Sequence, residues 1–222
     1  GFRMQKDIAG AILLQRELSK ELVLQGRLGD ADLIAGADCS AYGNTGTMVG
    51  AIVIWQRSTD KIVEVATAAL EADFPYIPSL LAFRELPALL AAWRKLRRAP
   101  DAVICDGQGI AHMRGLGIAS HFGLYIDVPT IGCGKSRLVG SYVQPGTQKG
   151  SVEILTYKGV EVGAVVRTRA NISPGNQCDI EGAVALTLRT TGKYRLPEPI
   201  RAAHKSCGEM LSELTLSKRD IL

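Results

Sequence analysis

Apolar and polar positions along this chain alternate between two periods, and the switches between them mark its elements. Ile8–Leu14 is an apolar run that passes straight into Gln15-Arg16-Glu17-Leu18-Ser19-Lys20, which predicts a first helix with one buried stripe. Leu33-Ile34-Ala35-Gly36-Ala37-Asp38 is a short apolar run ending in an acid. Met48–Gln56 and Lys61–Glu71 follow as β-branched-rich runs separated by Ser58-Thr59-Asp60, and the three read as an antiparallel meander. Phe74-Pro75-Tyr76-Ile77-Pro78 must be a loop, because two prolines three apart suit neither a strand nor a helix interior. From Ser79 to about Arg98, Leu80, Phe83, Leu90, Trp93 and Leu96 recur at helical spacing, with Pro87 expected to kink the element.

Ala102–Cys105 reads as a buried strand ending at Asp106-Gly107, followed by a Gly-rich loop, a helix over about Leu116–Tyr125 and a buried strand at Pro129–Gly132. Strands joined by crossover helices imply a parallel portion of the sheet. The last third predicts a hairpin of Val152–Tyr157 with Val162–Arg169 around Lys158-Gly159, a helix from about Asp179 to Thr190, and a short helix after Pro199. The expected architecture is α/β: a mixed sheet with helices on its faces. No repeat or long linker interrupts it, so residues 1–222 are expected to form a single domain.

Composition narrows the class. With 46% hydrophobic and 22% charged residues, the 222-residue chain can bury a sizeable core, which excludes disordered and low-complexity classes. Lys and Arg number 26 against 22 Asp and Glu, an excess that permits a polyanionic partner without demanding one. Five cysteines with no C-x-x-C pair suggest reduced thiols in a cytoplasmic protein. Ile8–Leu14 lacks the small-residue cleavage site of a signal peptide, and no run approaches the roughly 18 apolar residues of a membrane span.

The chemistry lies in three misplaced acids. Asp38 and Asp106 each end an apolar run, and Glu85 has Leu81, Ala82, Ala88 and Leu89 at helical spacing around it. One strand-terminal Asp is ordinarily a cap or turn residue. Three carboxylates beside apolar surface are costly unless positive charge compensates them, and the adjacent Arg84 points elsewhere on the helix. If the two strands are neighbours and the helix packs across their carboxyl ends, the acids converge in the crevice where open α/β sheets bind ligands. Oxygen ligands favour Mg²⁺ or Mn²⁺, the usual equipment for phosphoryl chemistry on nucleic acid. His112, His121 and His204 have no zinc-site spacing.

Two other motifs fail. Gly107-Gln108-Gly109-Ile110-Ala111-His112 begins as a dinucleotide fingerprint, but His112 replaces its last glycine. Gly134-Lys135-Ser136 resembles the end of a P-loop, but Pro129 stands where the first glycine belongs, which leaves Lys135 to contact a phosphate singly. Arg94-Lys95-Leu96-Arg97-Arg98 reads more readily as a solvated helix face than as a DNA-binding patch.

Leu33–Asp38 (LIAGAD), Pro75–Glu85 (PYIPSLLAFRE), Asp106–Gly123 (DGQGIAHMRGLGIASHFG), Pro129–Leu138 (PTIGCGKSRL) and Tyr194–Pro199 (YRLPEP) resemble, in order, the motifs of the endonuclease V family of deoxyinosine-directed repair nucleases. The resemblance implies a ribonuclease H-like fold in which Asp38, Glu85 and Asp106 bind catalytic Mg²⁺, Mn²⁺ substituting. It implies Lys135 near the scissile phosphate and His204 as a further active-site residue. A metal-activated water would attack the second phosphodiester 3′ to the lesion, leaving a 3′-hydroxyl and a 5′-phosphate. Pro75-Tyr76-Ile77-Pro78 resembles the family's wedge. The extruded hypoxanthine would occupy a pocket of Ser79, Leu81, Gly107, Gly109, Ile118 and Leu138, with His112, Arg114 and Arg137 candidates for phosphate contact. The implied partner is deaminated DNA, with no membrane and no obligate protein partner. Three residues depart from the family pattern: Ser79 for glycine, Met113 for proline and Asn176 for histidine. The alternatives are a ribonuclease H-like nuclease acting on inosine-containing RNA, and a binding module that has lost cleavage.

Overall fold

The computed structural model describes residues 7–26, 28–148, 150–167 and 170–219. Within them, α1 (Ile8–Ser19) begins at Asp7, whose carboxylate accepts from the Gly10 N–H. The meander follows as β1 (Leu33–Ala41), β2 (Thr47–Gln56) and β3 (Lys61–Glu71), paired antiparallel. After α2 (Leu81–Trp93), β4 (Ala102–Asp106) joins β1 in parallel. After α3 (Ile118–Ile126), β5 (Thr130–Gly134) joins β4 in parallel. β6 (Val152–Tyr157), β7 (Val160–Val166) and β8 (Asn171–Asn176) complete one sheet in the order β3-β2-β1-β4-β5-β8-β7-β6. α4 (Ile180–Thr190) and α5 (Glu198–Arg219) follow.

Side-chain alternation along the sheet builds two cores. Ile34, Ile104 and Ile131 face α4 and α5, where Leu186 and Ile200 meet them. Ala35, Val103 and Cys105 face α2 and α3, against Leu86, Leu89 and Phe122. All five cysteines are free thiols. Among the described residues no helix is long and apolar enough to cross a membrane.

Four sequence expectations change. β1 continues past Asp38 to Ala41, so that acid lies inside a strand rather than at its end. Residues 171–176, for which no element was predicted, form β8, which lies between β5 and β7 and ties the β6–β7 hairpin into the sheet. Pro174 is tolerated there because the β5–β8 register shifts beside it, while its carbonyl accepts from the Ile110 N–H at 2.8 Å. The C-terminal helix is not short: α5 runs 22 residues, burying Ile200, Ala203 and Cys207 on β1 and β2. Finally, α2 keeps Pro87 inside it but stops at Trp93, so the basic cluster follows the helix instead of forming one of its faces. There the Lys95 ammonium donates to the Thr67 carbonyl and Arg98 pairs with Glu64 at 3.4 Å. The second hairpin strand ends at Val166, and residues 168–169 lie outside the described residues.

Candidate active site

The parallel pairing of β1 with β4 sets Ala37 opposite Cys105, so Asp38 and Asp106 come next on neighbouring strands and turn to the same side. α5 crosses that side and brings His204 Nδ1 to 3.0 Å from Asp38 Oδ2. This approach depends on Gly36, because a Cβ there would collide with the Pro199 carbonyl at the start of α5. Ligand atoms of Asp38, Asp106 and His204 lie within 4.8 Å of one another. Glu85 enters from α2 and lines, with Asp38 and Asp106, a cavity of about 200 Å³.

The electrostatics of this cleft are those of incompletely compensated negative charge. Burial, then the neighbouring Asp106 carboxylate, pushes Asp38 up to about 6 despite the His204 contact. Burial, then Asp38 and Asp106, pushes Glu85 up to about 7. Arg84 offsets the charge on Glu85 only in part, its guanidinium donating to the Phe74 carbonyl at 2.8 Å. Lys135 Nζ, just past β5, lies 3.4 Å from Asp106 Oδ2. Hard oxygen donors with one imidazole and a deficit of positive charge fit a divalent cation.

A second cavity, of about 280 Å³, shares Glu85, Asp106 and Ile118 with the first. Five of the six residues expected around a flipped base, Ser79, Leu81, Gly107, Ile118 and Leu138, line this cavity together with Gln15, Gln108 and Leu116. Gly109 does not line it: this glycine is buried under β8, its N–H donating to Ser173 Oγ at 2.8 Å, and a Cβ there would meet the Pro174 carbonyl. Beside the cavity, Phe74 and Leu80 are buried and Phe74 packs on Phe83 at 5.4 Å. Between them Pro75, Tyr76 and Pro78 are exposed and Ile77 is half-buried, with Tyr76 at 72% exposure. The loop is thus anchored at both ends and displays an aromatic ring.

Ser79 carries a backbone φ of 70°, the left-handed conformation that glycine adopts freely and serine does not. Its neighbours hold it there. Its carbonyl accepts from Gln15 Nε2 at 3.0 Å and lies 3.0 Å from His112 Nε2, and the Arg114 guanidinium donates to its Oγ at 2.7 Å. Arg114 Nε also donates to Gln15 Oε1 at 2.6 Å, and the Arg114 N–H donates to His112 Nδ1 at 3.1 Å. That last bond leaves Nε2 of a neutral imidazole as the proton carrier, and burial lowers His112 to about 4. His112 and Arg114 therefore brace the loop instead of standing free for phosphate. Arg137 does line the cavity, with its guanidinium 5.5 Å from the Tyr142 ring centre.

Gln15 and Arg195 were missed. Gln15 is a fully buried amide in the apolar stripe of α1, and that anomaly was its only signal. Arg195 donates to the Lys135 carbonyl at 2.8 Å, a link across 60 residues with no local trace in the sequence. Of the family departures, Met113 is exposed, and Asn176 accepts from the Val23 N–H at 2.8 Å within β8.

A mixed sheet of this order, with carboxylates on adjacent central strands and a helix carrying a third across them, defines a nuclease of the ribonuclease H-like class. The sequence model of Endonuclease V matches residues 16–205, and the chain belongs to that family. It is 46% identical over 206 residues to the endonuclease V of Dictyoglomus turgidum, covering 90% of each chain. It is 42% identical over 208 residues to that of Rhodospirillum centenum, covering 90% and 87%. The crystal structure of endonuclease V from Streptomyces avermitilis superposes with a TM-score of 0.90 at 36% identity, over 97% and 96% of the two chains. That of Ciona intestinalis endonuclease V, bound to a 24mer DNA containing an inosine followed by a ribo-adenosine, gives 0.80 at 25% identity, over 95% and 100%. The chain is accordingly a hydrolase of the endonuclease type, in a family of DNA-repair nucleases.

Proposed function

We propose that this protein, acting as one domain, nicks DNA at deoxyinosine. It hydrolyses the second phosphodiester 3′ to the deaminated base and leaves a 3′-hydroxyl and a 5′-phosphate. The observation that carries the reading is the shared wall: a cleft of carboxylates and an apolar pocket of base-accommodating size meet at Glu85, Asp106 and Ile118. The inosine-containing DNA bound by the Ciona relative supports it.

Asp38, Glu85 and Asp106, with His204 beside them, would hold Mg²⁺, Mn²⁺ substituting. When bound, the cation supplies positive charge against the phosphate and acidifies water next to it. Lys135 adds a fixed ammonium where negative charge grows on the phosphate oxygens. The displayed 75–78 loop enters the duplex, with Tyr76 placed to stack where the base has left. The neighbouring pocket receives the flipped base, and its apolar lining excludes water from the base face.

The test is cleavage of a labelled duplex with one deoxyinosine, in Mg²⁺, by the native protein and by Asp38→Ala. The reading predicts a 3′-side nick that disappears in the variant. Tight binding without a nick would point to a binding module. A second reading, action on inosine-containing RNA, is raised by the ribo-adenosine beside inosine in the Ciona complex. The matched RNA duplex is therefore run in parallel, and cleavage confined to it would replace the DNA assignment.

A further inference from the structure

Away from both cavities, a third of about 520 Å³ opens on the face of the sheet that α4 and α5 cover, opposite the α2 and α3 residues that wall the second cavity. β8 begins with Asn171 opposite Gly134, so the start of β8 stands at the strand ends where β4 finishes in Asp106 and β5 leads to Lys135. The last turn of α4 and the segment to Pro197 reach it from below. The floor is apolar, with Val166, Leu188 and Pro197. Three exposed cations, Arg167, Lys193 and Arg195, line its rim, and among the described residues no carboxylate does.

The cavity is joined to the catalytic edge through Arg195. One guanidinium nitrogen donates to the Lys135 carbonyl at 2.8 Å, and the Lys135 ammonium is 3.4 Å from Asp106. The segment that carries Lys193 and Arg195 is shaped by Tyr194, whose ring centre lies 3.5 Å from the Arg201 guanidinium and 5.1 Å from the Lys193 ammonium. A polyanion running from the carboxylates along the Lys135–Arg195 link would reach the cavity. Its volume falls in the range of about 300–1,000 Å³ that encloses small ligands. Cations at the rim suit a phosphodiester, and an apolar floor suits the face of a base.

We propose that this cavity binds the cleaved strand beyond the cut, taking the phosphate and base of the nucleotides on the 3′ side of the scissile bond. The proposal rests on the reading that the protein cuts nucleic acid 3′ to the lesion. The flipped base then occupies one face of the sheet, the cut falls at its edge, and the departing strand lies on the other face.

The test uses Arg167→Ala/Lys193→Ala, which leaves Arg195 and every residue of the acid cleft intact. Steady-state nicking is measured on a deoxyinosine duplex with a long 3′ flank and on one whose nicked strand ends a nucleotide past the cut. For the native protein, truncation should raise KM several-fold with kcat unchanged. The double variant should show the raised KM already on the long duplex, no further response to truncation, and a salt slope of binding smaller by about 1 per lost phosphate contact. The charge-preserving pair Arg167→Lys/Lys193→Arg should restore the native pattern. A variant that responds to truncation as the native protein does overturns the proposal alone. A native protein that leaves the deoxyinosine duplex uncut overturns the functional reading and the proposal with it.

Discussion

The two cavities that share Glu85, Asp106 and Ile118 handle burial in opposite ways. In the carboxylate cleft, Asp38 and Glu85 are held by the fold against their preference for water, and their pKa values rise to about 6 and about 7. In the neighbouring pocket the buried titratable group is a histidine kept neutral: burial lowers His112 to about 4, and behind it lowers His121 to about 3. One region stores unbalanced charge that a cation relieves. The other removes charge and spends its hydrogen bonds on bracing a strained serine. Proximity in the fold need not mean a common chemistry, and outside the shared Glu85, Asp106 and Ile118 each region has residues of its own through which it can be perturbed.

The largest separation is expected from Asp106→Asn. Nicking should fall by more than the roughly 10²–10³-fold that removal of a single electrostatic stabiliser costs, while the affinity for a deoxyinosine duplex stays near native. Chelation of divalent cations should do the same to the native protein, as read by single-turnover nicking and by fluorescence anisotropy. Next comes Lys135→Ala, expected to lower kcat about 10²-fold with little change in KM, because the ammonium acts on charge that develops during the reaction.

Gly36→Ala should injure the carboxylate cleft from a distance. The new methyl would press on the Pro199 carbonyl and shift α5, moving His204 off Asp38, at a stability cost of about 1–3 kcal/mol. Urea unfolding measures the cost, and unchanged binding to the lesion duplex would show that the neighbouring pocket is spared.

Stability against pH separates the regions by sign. His112 and His121 have folded values below the ordinary 6.5, so the unfolded chain takes their protons first. Their contribution is complete above 6.5 and is lost as pH falls towards 4. Asp38 and Glu85 have folded values above their ordinary ones, so the folded chain takes those protons first, and their unfavourable contribution is relieved as pH falls from about 7. Without a divalent cation the two oppose each other across this window. With Mg²⁺ bound the carboxylate contribution is removed, and thermal melts should show a steeper loss of stability on acidification.

Ser79→Gly should have the smallest effect. It removes the cost of a φ of 70°, about 1–2 kcal/mol, and also removes the 2.7 Å bond from Arg114, so stability should change little. The change should appear in the ratio of kcat/KM between deoxyinosine and other deaminated bases, with nicking of an abasic duplex as the control.

How much of this was written locally in the chain depends on the range of the force responsible. The meander, α1 and α4 are visible because an amphipathic period or an apolar run is itself the cause of the element. β8 is invisible because Asn171-Ile172-Ser173-Pro174-Gly175-Asn176 has no alternation and contains a proline; its strand conformation comes from β5 and β7 on either side. The length of α5 was hidden by its polar composition, since it packs mainly on β1 and β2, distant in sequence. The carboxylates were legible because a buried acid is costly wherever it occurs, so its position in an apolar run is already informative. The bracing of Ser79 by Gln15, His112 and Arg114 was not, because residues from three separate segments meet only in the folded chain.

If base recognition and phosphodiester cleavage occupy adjoining cavities, their chemistry should be separable. This separability is tested most directly by measuring, on one preparation of Asp38→Asn, both the affinity and the nicking rate for duplexes that differ only in deoxyinosine against deoxyadenosine. The variant should keep the native preference for the deoxyinosine duplex in binding and lose the nick. Loss of the binding preference together with the nick, in a variant that melts as the native protein does, would contradict it.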